Sequence, residues 1–336
     1  MQLQYVTRPT MNRLLSRRPD AARSSLGIIA LALALVAAAC GGRAPNAAPT
    51  IVVFNAGALA LPLRQALDSF APRSGLTVIQ ENAGSVETVR KITELHRIPD
   101  VVALADTALF SRLLPGRLAG PIVVLGGTRL VLAYTASSRF AAEVNAQNWM
   151  EVTTRAGVEV GRSDPALDPA GYRALMAMQL AEQYYRRPGL AQRLEGAAPP
   201  GNMRPKSADL TALLQTGNLD YAWEYESVAR RLGLQFVTLP NEVNLGDPAL
   251  TATYAEARVE IPAPGSASAG GVNGQRRAPL VMYGGPIVFG AAVPRDAPHP
   301  EAGHRFITYL MASQGRAIFT SFGLQPTAPM SAADTR

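Results

Sequence analysis

Short stretches of small or polar residues follow predicted strands or turns and precede predicted helices at four places in the sequence. They are Gly57-Ala58, Gly84-Ser85, Asp168-Pro169 and, after Pro205-Lys206, Ser207. The first residues of a helix carry backbone N–H groups without intrahelical partners, and the helix dipole favours negative charge beside them. Each start also fits ordinary capping, and Asp168 before Pro169 is typical of an N-cap followed by proline at the first helical position. The pattern predicts an anion site only if several of these starts meet in one cleft.

Other kinds of chemistry have little support in the sequence. The three histidines, His96, His299 and His304, show no metal-binding spacing with a third ligand nearby. Neither lysine, Lys91 or Lys206, follows a glycine as a P-loop requires, and no G-x-S-x-G or G-x-G-x-x-G motif occurs. No motif pairs a nucleophile with a general base. We therefore predict a binding protein rather than an enzyme, and we expect no cofactor.

The positive charge of the chain is concentrated at its amino terminus. The 336 residues carry a formal net charge of +7, but five arginines and one acid lie in residues 1–40, so the remainder carries only +3. No Lys/Arg-rich run interleaved with aromatic residues occurs, so there is little to bind a phosphate backbone. We therefore expect no nucleic-acid partner. At 48% hydrophobic and 17% charged residues, the chain is too apolar for a disordered protein and is long enough for about two domains.

The amino-terminal segment has the pattern of an export signal. An uncharged stretch of 14 residues, Leu26–Ala39, follows several arginines and is too short to span a bilayer comfortably. Three alanines precede Cys40, the only cysteine, and this arrangement resembles a bacterial lipoprotein box. We therefore predict a signal peptide over residues 1–39, and a lipidated Cys40 that anchors a periplasmic or cell-surface protein to the membrane.

Two alternatives accompany this prediction. The site before Cys40 also fits an ordinary secretory cleavage site with an incidental cysteine, and Met11 is a plausible true start. The following residues, rich in Gly, Ala and Pro, predict a flexible tether over residues 40–50. A lone cysteine excludes an intramolecular disulfide and a Cys-rich metal site.

From Ile51 onward, short apolar runs alternate with helical stretches, which predicts an α/β fold with largely parallel sheets. The predicted strands are 51–54, 76–79, 100–104, 122–125, 130–134, 158–160, 221–223, 236–239, 254–261, 280–282 and 287–293. The predicted helices are 61–70, 86–96, 169–185, 208–216, 227–232 and 300–322, and residues 264–278 are predicted to form a Gly/Ser-rich surface loop. We expect one lobe from residues 51–120 and 285–330 and a second from residues 121–284. Two crossovers would let the lobes hinge around a cleft.

Five segments together resemble a known family. They are FNAGALALPLRQALDSF, ENAGSVETVRKITELHRIPDVVALAD, LDPAGYRALMAMQLAEQYY, RPKSADLTALLQTGNLDYAWEYESVARRLGL and PEAGHRFITYLMASQGRAIF. Over residues 51–330 they are similar to the molybdate/tungstate-binding proteins of ABC importers, in particular the archaeal-type tungstate-binding branch. The resemblance implies a two-lobed type II periplasmic binding protein fold with a hinge and an interlobe cleft. It also implies capture of an oxyanion and its delivery to an ABC permease and its ATPase, and we expect a monomer.

The resemblance also carries a set of ligand contacts onto this chain. They fall on Gly57, Ala58, Ser85, Asp168, Pro169, Ala170, Ser207 and Tyr225. It implies that Ser85 donates its hydroxyl and backbone N–H, that Tyr225 donates its phenol, and that the Asp168 carboxylate approaches the Mo or W atom of the oxyanion. A bare carboxylate beside a dianion is repulsive, so Asp168 fits such a site only if it coordinates that atom or is protonated.

This sequence departs from the family at three of these positions. The family usually has Ser at Ala58, often Cys at Ala170 and a second carboxylate, Glu, at Ser207. The loss of that carboxylate predicts a tetrahedral or incompletely expanded metal centre, with Ser207 giving a hydroxyl hydrogen bond. Glu224 and Glu226 could stand in for it, although their position beside Tyr225 more simply suggests a lobe surface or hinge contact.

Three alternatives stay open at the level of sequence. Within the same class, sulfate or phosphate could replace molybdate or tungstate as the ligand. From other classes, the same fold could serve a sensor without transport or an enzyme that acts on a small anionic metabolite. Competition binding among oxyanions and turnover assays would separate these functions.

Overall fold

The computed structural model describes residues 49–263 and 278–327. The signal peptide, Cys40 and most of the tether predicted from the sequence lie outside these residues, as does nearly all of the predicted loop 264–278. In the described residues, the strands are β1 (Thr50–Ala56), β2 (Thr77–Ala83), β3 (Val101–Leu104), β4 (Val123–Thr128), β5 (Leu130–Tyr134), β6 (Val160–Ser163), β7 (Met203–Arg204), β8 (Tyr221–Tyr225), β9 (Gln235–Thr238), β10 (Arg258–Ile261), β11 (Leu280–Tyr283) and β12 (Ile287–Ala292).

The helices alternate with these strands through much of the chain. They are α1 (Ala60–Ser74), α2 (Ser85–Thr93), α3 (Ala108–Leu113), α4 (Trp149–Thr153), α5 (Pro169–Tyr185), α6 (Leu190–Ala197), α7 (Ser207–Gln215), α8 (Glu226–Arg231), α9 (Asn241–Asn244), α10 (Thr251–Tyr254), α11 (Pro300–Met311) and α12 (Ser313–Ser321). None of the helices within residues 49–263 and 278–327 is both long and apolar enough to cross a membrane.

Two five-stranded sheets organise the fold. The first has the order β2-β1-β3-β12-β4 and the second the order β7-β6-β8-β5-β9. Each sheet contains parallel and antiparallel pairs, because β12 runs antiparallel to β3 and β4, and β5 runs antiparallel to β8 and β9. The sheets predicted from sequence as largely parallel are therefore mixed. Strand periodicity reports which face is buried and does not report the direction of the partner strand.

The chain passes between the sheets twice. It leaves the first sheet after β4 and enters the second at β5, so only Arg129 separates the two strands. The predicted boundary at residue 121 lies before β4, which pairs with β12 in the first sheet. The chain returns to the first sheet with β12, and the ring of Phe306 in α11 lies 5.1 Å from that of Phe70 in α1. The helix α11 thus packs against α1 on the first-sheet side.

Two elements differ from their predicted form. Tyr254–Ile261 is predicted as one strand, but the residues up to Tyr254 belong to α10 and only Arg258–Ile261 is extended. The Tyr254 hydroxyl donates a 2.6 Å hydrogen bond to the Asn241 carbonyl, which holds this helical turn against the preceding one. The predicted helix 300–322 is interrupted at Ala312, which has an extended backbone (φ −70°, ψ 164°).

Apolar packing holds each sheet to its helices. The strand β5 is buried at four of its five residues, and the indole rings of Trp149 and Trp223 meet edge to face at 5.8 Å. Such an arrangement suits the quadrupoles of aromatic rings. The rigid sheets therefore fix the loops at the ends of β1, β2, β6 and β8, where the candidate site residues lie.

Candidate functional site

The loop after β1 places the first lobe against the second. Gly57 begins a short 3₁₀ turn, Gly57–Leu59, and is buried. A Cβ atom at Gly57 would lie 3.3 Å from Cδ of Lys206 and 3.5 Å from Cβ of Ala208. Because these two residues flank Ser207, the first predicted contact loop lies at the start of α7. Ala58 is only half-buried.

The loop after β2 makes a closer contact with the second lobe. Ser85 begins α2 and is fully buried, and its hydroxyl oxygen accepts a 2.9 Å hydrogen bond from the backbone N–H of Ala105. The backbone N–H groups of Val86 and Glu87 donate to the carbonyl oxygen of Leu167 at 3.0 and 3.2 Å. Two of the helix-start donors therefore bond a carbonyl from the loop before α5, while the Ser85 hydroxyl proton stays available to donate.

Asp168 is the N-cap of α5 and is almost completely buried. Its Oδ1 accepts a 2.8 Å hydrogen bond from the N–H of Ala170, and Pro169 occupies the first helical position. Burial raises the pKa of the Asp168 carboxyl to about 7, against the lowering effect of the Ala170 and Ser207 N–H groups and of the Arg173 charge. The capping role predicted for Asp168 is present, and the carboxyl can exchange a proton near neutral pH.

Ser207 links two carboxyl groups at the start of α7. Its backbone N–H lowers the pKa of the Asp168 carboxyl, and its buried hydroxyl lies beside Glu224 and lowers the pKa of that group. Neither the Ser207 hydroxyl nor Oε2 of Glu224 has a hydrogen-bond partner of good geometry among the described residues. The structure therefore places a second carboxyl group next to the serine.

Tyr225 ends β8 and is fully buried between the lobes. Its ring meets that of Phe289 in β12 edge to face at 5.2 Å, and its hydroxyl oxygen accepts a hydrogen bond from Nη1 of Arg173 at 3.4 Å. Burial raises the pKa of the Tyr225 phenol well above its ordinary value, although Arg173 opposes this change. The phenol therefore stays protonated and can donate to an anion.

Two further charged residues lie in the site without having been assigned a role from the sequence. The guanidinium Nη2 of Arg173 lies 3.0 Å from Oδ2 of Asp106, and its Nη1 donates to the Ala105 carbonyl at 2.7 Å. The Tyr172 hydroxyl donates to the same Asp106 oxygen. Asp106 follows β3 and Arg173 belongs to α5, so this buried ion pair joins the two lobes. Both residues occur in the segments that carry the family resemblance, but a lone Asp and a lone Arg give no local signal of their pairing.

The balance of charge explains how an anion can enter this site. Burial lowers the pKa of Arg173, but Asp106 and the nearby phenols raise it above its ordinary value, so the guanidinium is fixed as a cation. Asp106 offsets that charge, and burial raises the pKa of Glu224 to about 8, with Asp168 adding to the rise. Asp168 and Glu224 must give up most of their negative charge, or direct it at a metal atom, before a dianion is stable beside them.

The structure therefore brings together the predicted contacts from both lobes, with Ala58 at the edge. Glu224 and the pair of Asp106 and Arg173 join them. Among the described residues, no cluster of three or more His, Cys, Asp or Glu side chains could hold a metal ion. A cavity of about 690 Å³, lined by Arg129, Glu226 and other residues, contains none of the predicted contacts.

Residues 51–325 match the model of the bacterial extracellular solute-binding protein family. The chain belongs to this family. It is 32% identical over 328 residues to the molybdate/tungstate-binding protein WtpA of Pyrococcus abyssi, an alignment that covers 88% of this chain and 91% of that protein. The sequence-based expectation of a solute-binding protein is confirmed.

Solved structures share the fold at much lower sequence identity. The periplasmic molybdate-binding protein of Azotobacter vinelandii superposes with a TM-score of 0.55 at 16% identity, covering 83% of this chain and 100% of the other. The sulfate-binding protein of Mycobacterium tuberculosis H37Rv superposes with a TM-score of 0.58 at 15% identity, covering 85% and 89%. The predicted two-lobed α/β fold of the periplasmic binding proteins is confirmed.

Proposed function

We propose that this protein captures a molybdate or tungstate oxyanion between its lobes and delivers it to the permease and ATPase of an ABC importer. The observation that carries the proposal is a chain of buried contacts between the two lobes. Asp168, Ser207 and Tyr225 lie together in the second lobe around Arg173. Arg173 donates to the Ala105 carbonyl of the first lobe, and the N–H of Ala105 donates to the Ser85 hydroxyl oxygen. Hydroxyl and N–H donors from two lobes suit a ligand whose exposed atoms are all hydrogen-bond acceptors. The relationship to WtpA supports the choice of oxyanion.

The lobes themselves are part of the proposal. We assign residues 51–128 and 285–327 to the first lobe and residues 129–263 and 278–284 to the second, because β4 pairs in the first sheet. The direct hydrogen bonds from Val86 and Glu87 to Leu167 then hold the lobes together in a closed arrangement. Ligand entry requires these bonds to break, so binding is coupled to hinge motion.

The proposal includes export and a lipid anchor at Cys40, which place the receptor outside the cytoplasm beside its permease. The sequence pattern before Cys40 supports the anchor. We further propose that the protein acts as a monomer. We also propose that it has no enzymatic activity, because its sequence has no motif that pairs a nucleophile with a general base.

Thermal denaturation with and without oxyanions tests the proposed function. A ligand that binds only the native state stabilises it by about 2.7 kcal/mol at 100 times its dissociation constant. We expect molybdate or tungstate to raise the melting temperature, with sulfate and phosphate as competitors and nitrate as the control monoanion. A melting temperature that stays constant in saturating molybdate and tungstate contradicts the proposal. If sulfate alone raises the melting temperature, the ligand is sulfate instead.

A further inference from the structure

Glu224 is a fully buried acid in a mostly apolar layer. It pairs with Val131 across β5 and β8, and it alternates along β8 with Tyr225, whose ring points to the opposite face. On the Glu224 side, Ala222 packs with Leu210 of α7. An ionisable side chain in such a layer needs partners, because burial penalises an unpaired polar group.

The structure supplies only part of what this carboxyl group needs. Its Oε1 accepts a 2.8 Å hydrogen bond from the N–H of Tyr225. Its Oε2 is buried and makes no hydrogen bond of good geometry among the described residues. The Ser207 hydroxyl beside it also lacks a well-aligned partner, although it lowers the pKa of Glu224. These two neighbouring polar groups lie at the start of α7, next to Asp168, whose charge acts on Glu224.

Asp220, the residue just before the same strand, shows how the protein satisfies a buried carboxyl group with a structural role. Its Oδ1 accepts from the N–H of Arg139 at 2.9 Å, and its Oδ2 accepts from the N–H of Glu159 at 2.8 Å and from the Arg139 guanidinium at 3.1 Å. Both oxygens of Asp220 are satisfied by the protein. Glu224 differs because its Oε2 has only the poorly aligned hydroxyl of Ser207 beside it.

We propose that Glu224 is a ligand-binding residue of the interlobe site. Its protonated Oε2 donates a hydrogen bond to an oxygen of the bound oxyanion, and the Ser207 hydroxyl lies alongside it. The inference rests on the proposed function and adds to it a residue that fixes the ligand class. The outer atoms of molybdate, tungstate and sulfate are all acceptor oxygens, so a carboxyl group that contacts those oxygens does so through a proton. The raised pKa of Glu224, about 8 through burial, is consistent with this state.

Substitutions at Glu224 separate a ligand contact from a structural role. Isothermal titration of the purified full chain with sodium molybdate, sodium tungstate and sodium sulfate at pH 7 gives the affinities. Glu224→Leu keeps the volume but removes the donor, and we expect at least about tenfold weaker binding of the oxyanion that the unmodified protein binds. Glu224→Gln keeps a donor near the position of Oε2, and we expect its affinity to stay within about threefold.

Asp220→Asn is the matched control, since it removes a buried carboxylate that precedes the same strand and lies outside the site. We expect this variant to have a lower melting temperature and an unchanged oxyanion affinity. If Glu224→Leu does not fold, Glu224→Asp replaces it, because the shorter side chain withdraws the donor by about one methylene length, and we again expect at least about tenfold weaker binding.

The outcomes distinguish this inference from the function on which it rests. An unmodified protein that binds none of the three oxyanions refutes both. If the unmodified protein binds and a folded Glu224→Leu, or its Asp replacement, binds equally well, only the role of Glu224 is refuted. The same follows if Glu224→Gln loses as much affinity as Glu224→Leu, because the contact would then not be a donated hydrogen bond.

Discussion

The two buried carboxyl groups of the site, on Asp168 and Glu224, are held in different ways. Asp168 caps α5 and receives N–H groups from Ala170 and Ser207, whereas Glu224 receives one N–H group from Tyr225. Both have pKa values raised mainly by burial, to about 7 and about 8. The folded protein therefore holds protons near neutral pH that the unfolded chain releases.

The difference in bound protons between the folded and unfolded chains predicts how stability depends on pH. A carboxyl group whose pKa is raised on folding stabilises the native state fully below its unfolded pKa, and that contribution is lost as pH rises through the folded pKa. The unliganded protein should therefore lose stability between pH 5 and pH 9, by up to about 1.4 kcal/mol per pH unit for each proton. Urea denaturation across this range measures the slope, which Glu224→Gln should reduce. Equal stability at the two ends would show that these carboxyl groups ionise normally.

Arg173 is the fixed cation of the site, and its removal should be costly. Arg173→Met leaves the Asp106 carboxylate buried without its charged partner, and breaking such a pair costs about 3–5 kcal/mol. Arg187→Met is the matched control, since Arg187 and Glu151 form an ion pair that is about half exposed and is worth about 1 kcal/mol or less. Urea unfolding of both variants checks the prediction, which similar losses would contradict.

The helix starts show how whole elements shape the site. The first turn of α2 directs two N–H groups at Leu167, in the loop before α5, so two loops are docked on each other by backbone hydrogen bonds. Gly84 makes this approach possible, because a Cβ atom there would lie only 2.3 Å from the carbonyl oxygen of Leu167. The contact between α2 and that loop thus depends on the absence of a side chain at one position.

Gly84→Ala should therefore oppose lobe closure. The added methyl group meets backbone atoms that cannot yield easily, so the two loops must separate, and we expect at least about tenfold weaker oxyanion binding. Gly196→Ala in α6 is the control, since a Cβ atom there would meet no atom within 4 Å and the residue lies outside the proposed site, so the affinity should change by less than about threefold. Titration calorimetry measures the affinity, and small-angle scattering measures the separation of the lobes. Unchanged binding by Gly84→Ala would show that closure does not need this contact.

The molecule as a whole is joined by short connections between its two sheets. Arg129 is the single residue between β4 and β5, and its carbonyl oxygen accepts a 2.9 Å hydrogen bond from the N–H of Glu226. The Glu226 carboxylate pairs with the side chains of both Arg129 and Arg230. Glu226, which the sequence suggested as a lobe surface or hinge contact, thus lies at this crossover, whereas Glu224 lies beside Ser207 and Asp168. The charged cluster holds α8 against the connection around which the lobes would move.

The proposed anchor can be tested on the full chain. If Cys40 is the lipidated residue, Cys40→Ser removes the thiol that carries the lipid, and the exported protein should move from the membrane fraction to the soluble fraction. Fractionation followed by immunoblotting measures this distribution, and Ser24→Ala, in the predicted signal peptide, is the control that should stay anchored. A Cys40→Ser protein that remains in the membrane fraction contradicts the anchor.

The sequence by itself determined most of the elements and the family. Local signals are strong for α5, predicted and observed at residues 169–185, because Asp168 and Pro169 mark its start and apolar residues recur through it. The loops that carry Gly57, Ser85, Asp168 and Ser207 were also identified, since small or polar residues at helix starts have a local physical reason.

Only the tertiary structure decided how these residues meet. Three contacts of the site join residues from different elements. Asp106 pairs with Arg173, Glu224 lies beside Ser207, and two N–H groups of α2 donate to the Leu167 carbonyl. Strand direction in the mixed sheets and the position of the crossover at Arg129 are likewise set by partners distant in the chain. Local periodicity records burial and helix boundaries, whereas the charge balance of a buried site depends on which distant groups the fold brings within a few ångströms.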